Sequence, residues 1–491
     1  MQPRLSLLTQ DLIERIVDEA YQLLLKPGIK VQNDEARKLL ADAGAQVDEE
    51  TLVAKIPAQI VKAALNTVPR TFKLYDYDGN PTVEYGGDAV QFDPGSSGIS
   101  VLDPDTLEQK TAETADLIRL LKVAEQIPQY AAQSTAVVCH DVPKEIHDLY
   151  RLYLVLLHSK KPIVTGAFSN RTVQFMIDML AIMSGGLDNL REKPRAVFDV
   201  CPSPPLIWSN FGSGNLMVLA RMGVPAEIVS MPLAGAAAPV TLLGAVTQHA
   251  AECLAGITIH QLAKAGSPIV WGGAPAIFDM RKGGTPMGAV ETAMIDSSYA
   301  QVGKYLGVPT HAYMGATDSK RLDMQAGIES GVTAMIGALS GINMISGSGM
   351  LDFLLCHSAE KLVIDAEGVA MAQRMLEGMK IHTETLATGF YEGVNFKGGD
   401  FLKQKITMQL FQKEQHMPTE IIDRDSIRGW KAGGSLDTFD RAKIRVKQLL
   451  ASYKRPELDP VQESQLHAFV LDLSKKAGVE TLPVIDGFEF A

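Results

Sequence analysis

The chain has 491 residues, a formal net charge of −11, 46% hydrophobic and 21% charged residues, a composition that excludes disorder and leaves room for a large core. Its acidity leaves no basic stripe that could release counterions from a polyanion, so neither nucleic acid nor an anionic membrane surface is expected as a partner. The length fits two or three ordinary domains, or one barrel of about 250 residues with additions.

The first residues, Met1 to Ser6, run into an amphipathic pattern without a basic-then-apolar leader. Cys139, Cys201, Cys253 and Cys356 are widely spaced and form no CxxC, which gives neither a disulfide framework nor a compact thiolate metal site and suits a cytoplasmic setting. No apolar run is read as long enough to span a bilayer, because the richest stretch, Leu233 to Val246, is interrupted by Gly235, Pro239, Thr241 and Gly244.

Ile13, Ile16, Val17, Ala20 and Leu24 recur at helical spacing, and Pro27-Gly28 ends that helix. A second helix is expected from a cap at Asn33 or Asp34 to Gly44, and a third after Pro57. Short extended pieces follow, with Phe72 and Leu74 alternating before the turn Asp78-Gly-Asn-Pro81. Gln91 to Gly98 is rich in turn formers and reads as a loop reaching over a neighbouring pocket. Residues 1–111 are thus expected to form an α+β N-terminal unit.

From residue 112 a helix repeatedly ends, a proline follows and an apolar strand begins. Pro128, Pro162, Pro194, Pro225, Pro268 and Pro309 open such strands, and Gly341 takes that place before Ile342 to Ile345. Proline cannot continue a helix but can start a strand, and Gly223, Gly266 and Gly307 suit left-handed helix caps. Strands alternating with crossover helices imply parallel βα units. Seven units, with an eighth expected in 353–366, predict an α/β fold of the (β/α)8 TIM-barrel class over 112–400. A helical extension over 401–491 follows. No G-x-G-x-x-G follows the first of these strands and no Walker lysine loop occurs, so nucleotide binding lacks its usual signals.

In a barrel the loops after the strands build the site. Their residues are aromatic, small and neutral, with few carboxylates, which disfavours acid–base work by paired acids. The stretch Ser267 to Pro286 condenses this, since an apolar strand ends at Trp271, Gly272 and Gly273 stop it, and Arg281-Lys282 follow. Trp271 and Trp208 both fall at expected strand ends, where a cage and a core are equally open readings; Phe278 and Tyr313 are packing residues unless a ligand recruits them. Cys139-His140 and Cys356-His357 lie far apart, and a buried structural histidine is the commoner outcome for His140 and His357. Arg281 is either a solvated loop charge or a carboxylate contact.

The segments Trp271 to Arg281, Asp318 to Gly327 and Phe92 to Thr106 resemble the trimethylamine:corrinoid methyltransferase family, in its non-pyrrolysine, glycine betaine-using branch. The resemblance spans essentially the whole chain. It implies a TIM barrel that passes a methyl group from a quaternary amine to the Co(I) of a separate corrinoid protein, with no metal and no cofactor held by the chain itself, and it leaves room for a homo-oligomer. It also brings Phe92 into the substrate-binding set with Trp271, Trp208, Phe278, Tyr313, Arg281, His140 and His357. Such a substrate needs no acid catalyst, because loss of a methyl cation leaves a neutral amine. Aromatic faces can hold the cation at up to about 2 kcal/mol each.

Overall fold

The computed structural model describes residues 2–392, 394–480 and 482–483. Its centre is a regular alternation. In chain order this runs β1 (Gln91–Pro94), α1 (Thr114–Glu125), β2 (Gln133–Ser134), α2 (His147–His158), β3 (Ile163–Gly166), α3 (Asn170–Met183), β4 (Ala196–Val200) and α4 (Asn210–Met222). It continues with β5 (Ala226–Ser230), α5 (Leu242–Ala263), β6 (Ile269–Gly273), α6 (Val290–Tyr305), β7 (His311–Tyr313), α7 (Met324–Leu339), β8 (Met344–Ser348) and α8 (Ala359–Glu377). The local chemistry of the boundaries accounts for much of this. Ser169, Ser209, Thr241, Asp323 and Ser358 cap the starts of α3, α4, α5, α7 and α8 through their side chains, and Gly223 ends α4 at φ 71°.

All eight strands run parallel to their neighbours. β2 to β6 form one five-stranded ladder in sequence order, and β7, β8 and β1 form a second. Single bridges join the two at both margins, Trp271 with Thr310 and Phe92 with Tyr130. At the first of these thin junctions the Tyr299 hydroxyl of α6 lies 3.0 Å from the carbonyl of Gly273 and 2.8 Å from that of His311, tying β6 to β7 where the ladder lapses.

Two expectations are corrected here. Gln91–Pro94, read as loop, is β1 and pairs with β8, while 353–366 holds only the short strand Cys356–His357 and the start of α8. The reason is burial on both faces, which lets a strand of Gln, Phe, Asp and Pro persist despite its composition. The second concerns apolar length. α5 is long and apolar enough to cross a membrane by composition, yet 83% of its apolar window is buried inside the fold. The N-terminal helices Gln10–Leu25 and Ala58–Leu65 pack on it.

A hairpin, Phe72–Tyr75 with Pro81–Tyr85, inserts Leu74, Val83 and Tyr85 among Ala132, Val164, Val197, Val270 and Met344. These belong to the starting halves of the strands, so the hairpin seals that end with hydrocarbon. The C-terminal helix Pro460–Lys476 lies over α2 and α3, which explains why every residue of α2 is buried.

Candidate active site

Side chains two apart on a strand share a face. Val197 and Val270 belong to the apolar plug, so Asp199 and Gly272 lie one step further along the same inner surface. By the same rule Met344 leads to Ser346. The register sets Glu227 beside Asp199, and Ser346 beside both Asp93 and Tyr313. The result is a polar layer above the hydrocarbon plug, in which Asp93, Glu227, His311 and Ser346 are buried and Asp199 is half-buried.

His311 is its hub. Its Nε2 is 2.9 Å from Ser346 Oγ, which donates to Asp93 Oδ1 at 2.5 Å, while Nδ1 lies 3.0 Å from Glu227 Oε1 without the alignment of a hydrogen bond. This order places protons. With Ser346 donating to Asp93, Nε2–H donates to Ser346 and the Nδ1 lone pair faces Glu227, which the acid form of Glu227 complements. Tyr85, from the sealing hairpin, donates to the other oxygen of Glu227 at 3.4 Å.

Burial dominates the electrostatics. It pushes Glu227 up to about 8 and His311 down to about 4. Asp93 and Asp199 are raised by burial first and by neighbouring acids second, against the hydrogen bonds of Ser346 and Tyr313 that favour their charged forms. The layer is therefore short of positive charge. Among the described residues no group of three or more His, Cys, Asp and Glu side chains could hold a metal ion.

Above this layer, toward the strand ends, Val229, Ala274, Ala276, Met287 and Tyr313 form an apolar mouth with Leu354. The Tyr313 hydroxyl donates to Asp199 Oδ2 at 2.8 Å and meets Ser96 Oγ at 3.3 Å. Ser97, next along, accepts from Arg151 Nη1 at 3.2 Å. Of the stretch Gln91 to Gly98, read as a loop over a pocket, only the part after β1 is loop, and it meets the mouth at Tyr313 through Ser96.

The eight residues singled out from sequence do not converge. Tyr313 alone touches the polar layer. Trp271 is fully buried on the outer side of β6, donating to the Tyr299 carbonyl at 3.0 Å and filling the space above Gly303. Trp208 is likewise buried, donating to the Glu252 carbonyl at 3.1 Å and packing over Gly256. Both indoles are core, and neither offers a face to a ligand. Phe92 is core as well, beside the Tyr130 bridge. Phe278 is half-buried and bonds through its backbone to Ala234. Arg281 is 86% exposed and pairs with Asp279 within its own loop. His140 is exposed, with Nδ1 3.2 Å from the Val138 carbonyl, and His357 is buried against Gly349.

The strand-end loops are poor in carboxylates, as read from the sequence, but acids missed by that reading lie within the strands. Their signal was present in the sequence as single charged residues inside otherwise apolar runs, Asp199 in Ala196 to Val200 and Glu227 in Ala226 to Ser230. Gly272 serves them. A Cβ there would lie 2.9 Å from His311 Nδ1 and 3.2 Å from Glu227 Cγ, so the glycine makes room for side chains rather than for a ligand.

Comparison with known proteins bears on this site. A profile of the family described as "Trimethylamine methyltransferase (MTTB)" matches residues 1–478. The glycine betaine methyltransferase of Desulfitobacterium hafniense (strain Y51) is 30% identical over 481 residues, 97% of this chain and 99% of that protein. The trimethylamine methyltransferase MttB of Methanosarcina thermophila is 31% identical over 466 residues, 93% of this chain and 95% of that protein. Among solved structures, the Methanosarcina barkeri monomethylamine methyltransferase (MtmB) matches with a TM-score of 0.52 at 12% identity, covering 91% of this chain and 89% of the other. That last likeness is one of fold.

Proposed function

This chain belongs to the trimethylamine methyltransferase family, and from that premise we propose that it moves a methyl group from glycine betaine to the Co(I) of a separate corrinoid protein, releasing dimethylglycine. The circuit of eight parallel strands is read as a (β/α)8 barrel of the TIM type, whose strand-end face receives both reactants. One observation carries the substrate reading. Three carboxyls, those of Asp93 and Glu227 fully buried and that of Asp199 partly so, meet at the centre with His311 as a weak base, and burial raises the pKa of each acid.

A quaternary ammonium suits such a layer because it has charge and no N–H. It asks for Coulomb balance and apolar contact rather than donors and acceptors. The acids supply the first, while the Tyr313 ring and the hydrocarbon of the mouth supply the second. In the transfer the Co(I) electron pair forms the new bond to carbon, and the C–N pair stays on nitrogen. No proton moves at the reacting centre, so the protein's part is to orient one methyl toward the mouth and exclude water. As nitrogen loses its charge the attraction to the carboxylates disappears, which favours release of the neutral amine group. The corrinoid protein docks at the strand-end face, and the setting is cytoplasmic.

Proline betaine and carnitine present the same cationic head, and the tail contacts choose among them. The test is incubation with free cob(I)alamin and glycine betaine, proline betaine, carnitine or trimethylamine, following methylcob(III)alamin by absorbance. Turnover with glycine betaine above the others is expected. Turnover with trimethylamine alone would replace the substrate, and none with any amine would sink the reading.

A further inference from the structure

Behind the loop that meets Tyr313 at the mouth lies a charged side chain whose bonding is incomplete. Arg151, near the start of α2, is fully buried, and only its Nη1 is engaged, donating to the Thr135 carbonyl at 2.9 Å and to Ser97 Oγ at 3.2 Å. Nε and Nη2 have no partner. Those two nitrogens form the side-on edge of a guanidinium, the parallel fork that matches the two oxygens of a carboxylate. The nearest acid does not use it, since Asp148 Oδ1 accepts from the Leu149 amide and Oδ2 from the Phe168 amide and Thr172 Oγ1. The ring of Phe168 lies 4.7 Å from the guanidinium and is 49% exposed, so one face of the cation is covered by a ring at the surface.

Position separates Arg151 from Arg195, which is also buried without side-chain hydrogen bonds. Arg195 precedes β4, lies against Tyr77 at the end of the strands opposite the mouth, and has no link to the polar layer. Arg151 is linked. Ser97 joins it to Ser96, Ser96 meets the Tyr313 hydroxyl, and Tyr313 donates to Asp199. A buried guanidinium with an unused fork and a set of carboxyls are thus joined through Ser97, Ser96 and Tyr313, two opposite charges of the kind a zwitterion presents.

We infer that Arg151 binds the carboxylate of the substrate through its Nε–Nη2 edge, which makes the substrate class a quaternary amine bearing a carboxylate tail. This rests on the methyl-transfer reading above for the cationic head, but it assigns the tail and the residue that recognises it. A bidentate, charge-assisted pair formed out of water also satisfies the two buried nitrogens that otherwise lack hydrogen-bond partners. Tetramethylammonium, with the head and no tail, does not engage it.

The experiment measures binding and turnover separately. Glycine betaine and tetramethylammonium are titrated calorimetrically into the parent protein and into the R151M and R151K variants, with far-UV circular dichroism as the check of folding. Methyl transfer to free cob(I)alamin is followed in parallel. R151M should weaken glycine betaine about 10- to 100-fold, as expected for losing a charged bidentate pair, and leave tetramethylammonium within about threefold. R151K, which keeps the charge and loses the fork, should fall between them for glycine betaine. Equal losses for both ligands, or none, overturn the assignment, as does a parent protein that binds the two equally well. In those cases methyl transfer can still proceed and the function stands; if no amine binds and none is demethylated, both readings fall.

Discussion

At the scale of single residues, the site depends on charged side chains placed inside strands. Replacing Asp199 with Asn removes one of the charges that faces the ammonium while keeping an amide oxygen that can accept from Tyr313, and should lower kcat/KM for glycine betaine by about 100-fold, the usual size for one preorganised electrostatic group. Initial rates with free cob(I)alamin give the number; a change under about threefold would remove Asp199 from the site. The raised carboxyls also predict that binding of a permanent cation releases protons near neutrality, read as a dependence of binding enthalpy on the buffer's ionisation heat. Trp271 makes the opposite case. As a fully buried side chain on the outer surface of its strand, its change to Ala should cost about 3–5 kcal/mol in denaturant unfolding while the folded fraction keeps its affinity for glycine betaine. Selective loss of binding without loss of stability would restore it to the ligand.

At the scale of elements, β6 shows how a strand is built around a neighbour's function. Gly272 and Gly273 sit at its end in the pattern of a ligand-binding turn, yet neither has a positive φ. What they provide is space. A Cβ on Gly272 would stand 2.7 Å from the Ile228 carbonyl and 2.9 Å from His311 Nδ1, and one on Gly273 would stand 2.6 Å from His249 Nε2. Gly272→Ala is therefore expected to destabilise the fold by about 1–3 kcal/mol and to separate His311 from Glu227. Thermal unfolding together with the imidazole NMR shifts would test both, and unchanged His311 signals would show that the cluster does not need this glycine. The sealing hairpin has a comparable double role, since its Leu74 and Val83 fill the starting end while its Tyr85 reaches Glu227.

At the scale of the whole molecule, the buried layer writes itself into the pH dependence of stability. Glu227 has its pKa raised from 4.5 to about 8 in the fold, so its stabilising contribution is complete below 4.5 and is lost as pH rises through 8. His311 is lowered from 6.5 to about 4, so its contribution is present above 6.5 and is lost as pH falls through 4. Between 6.5 and 8 only the carboxyl limb acts. Melting temperature should fall across that window in the parent protein and fall less steeply in Glu227→Gln, where Asp93 and Asp199 remain raised, with the acid limb retained; an unchanged slope in the variant would assign it to other groups. Glycine betaine should oppose the fall, because it binds the ionised layer.

The sequence by itself determined the alternation of strands and helices. Proline at strand starts, glycine at helix ends and polar caps are local effects, readable wherever neighbouring residues alone decide the backbone. The helices Gln10–Leu25, Thr438–Ser452 and Pro460–Lys476 follow for the same reason. Tertiary structure alone decided that Gln91–Pro94 is a strand, because its partner Met344–Ser348 lies some 250 residues away and supplies the hydrogen bonds that its own composition argues against. It also decided which tryptophans are core, since an indole at a strand end can point to either side. The polar layer belongs there too. Asp93, Asp199, Glu227 and His311 come from four strands, and only the folding of those strands side by side brings four separate titratable residues together in the interior.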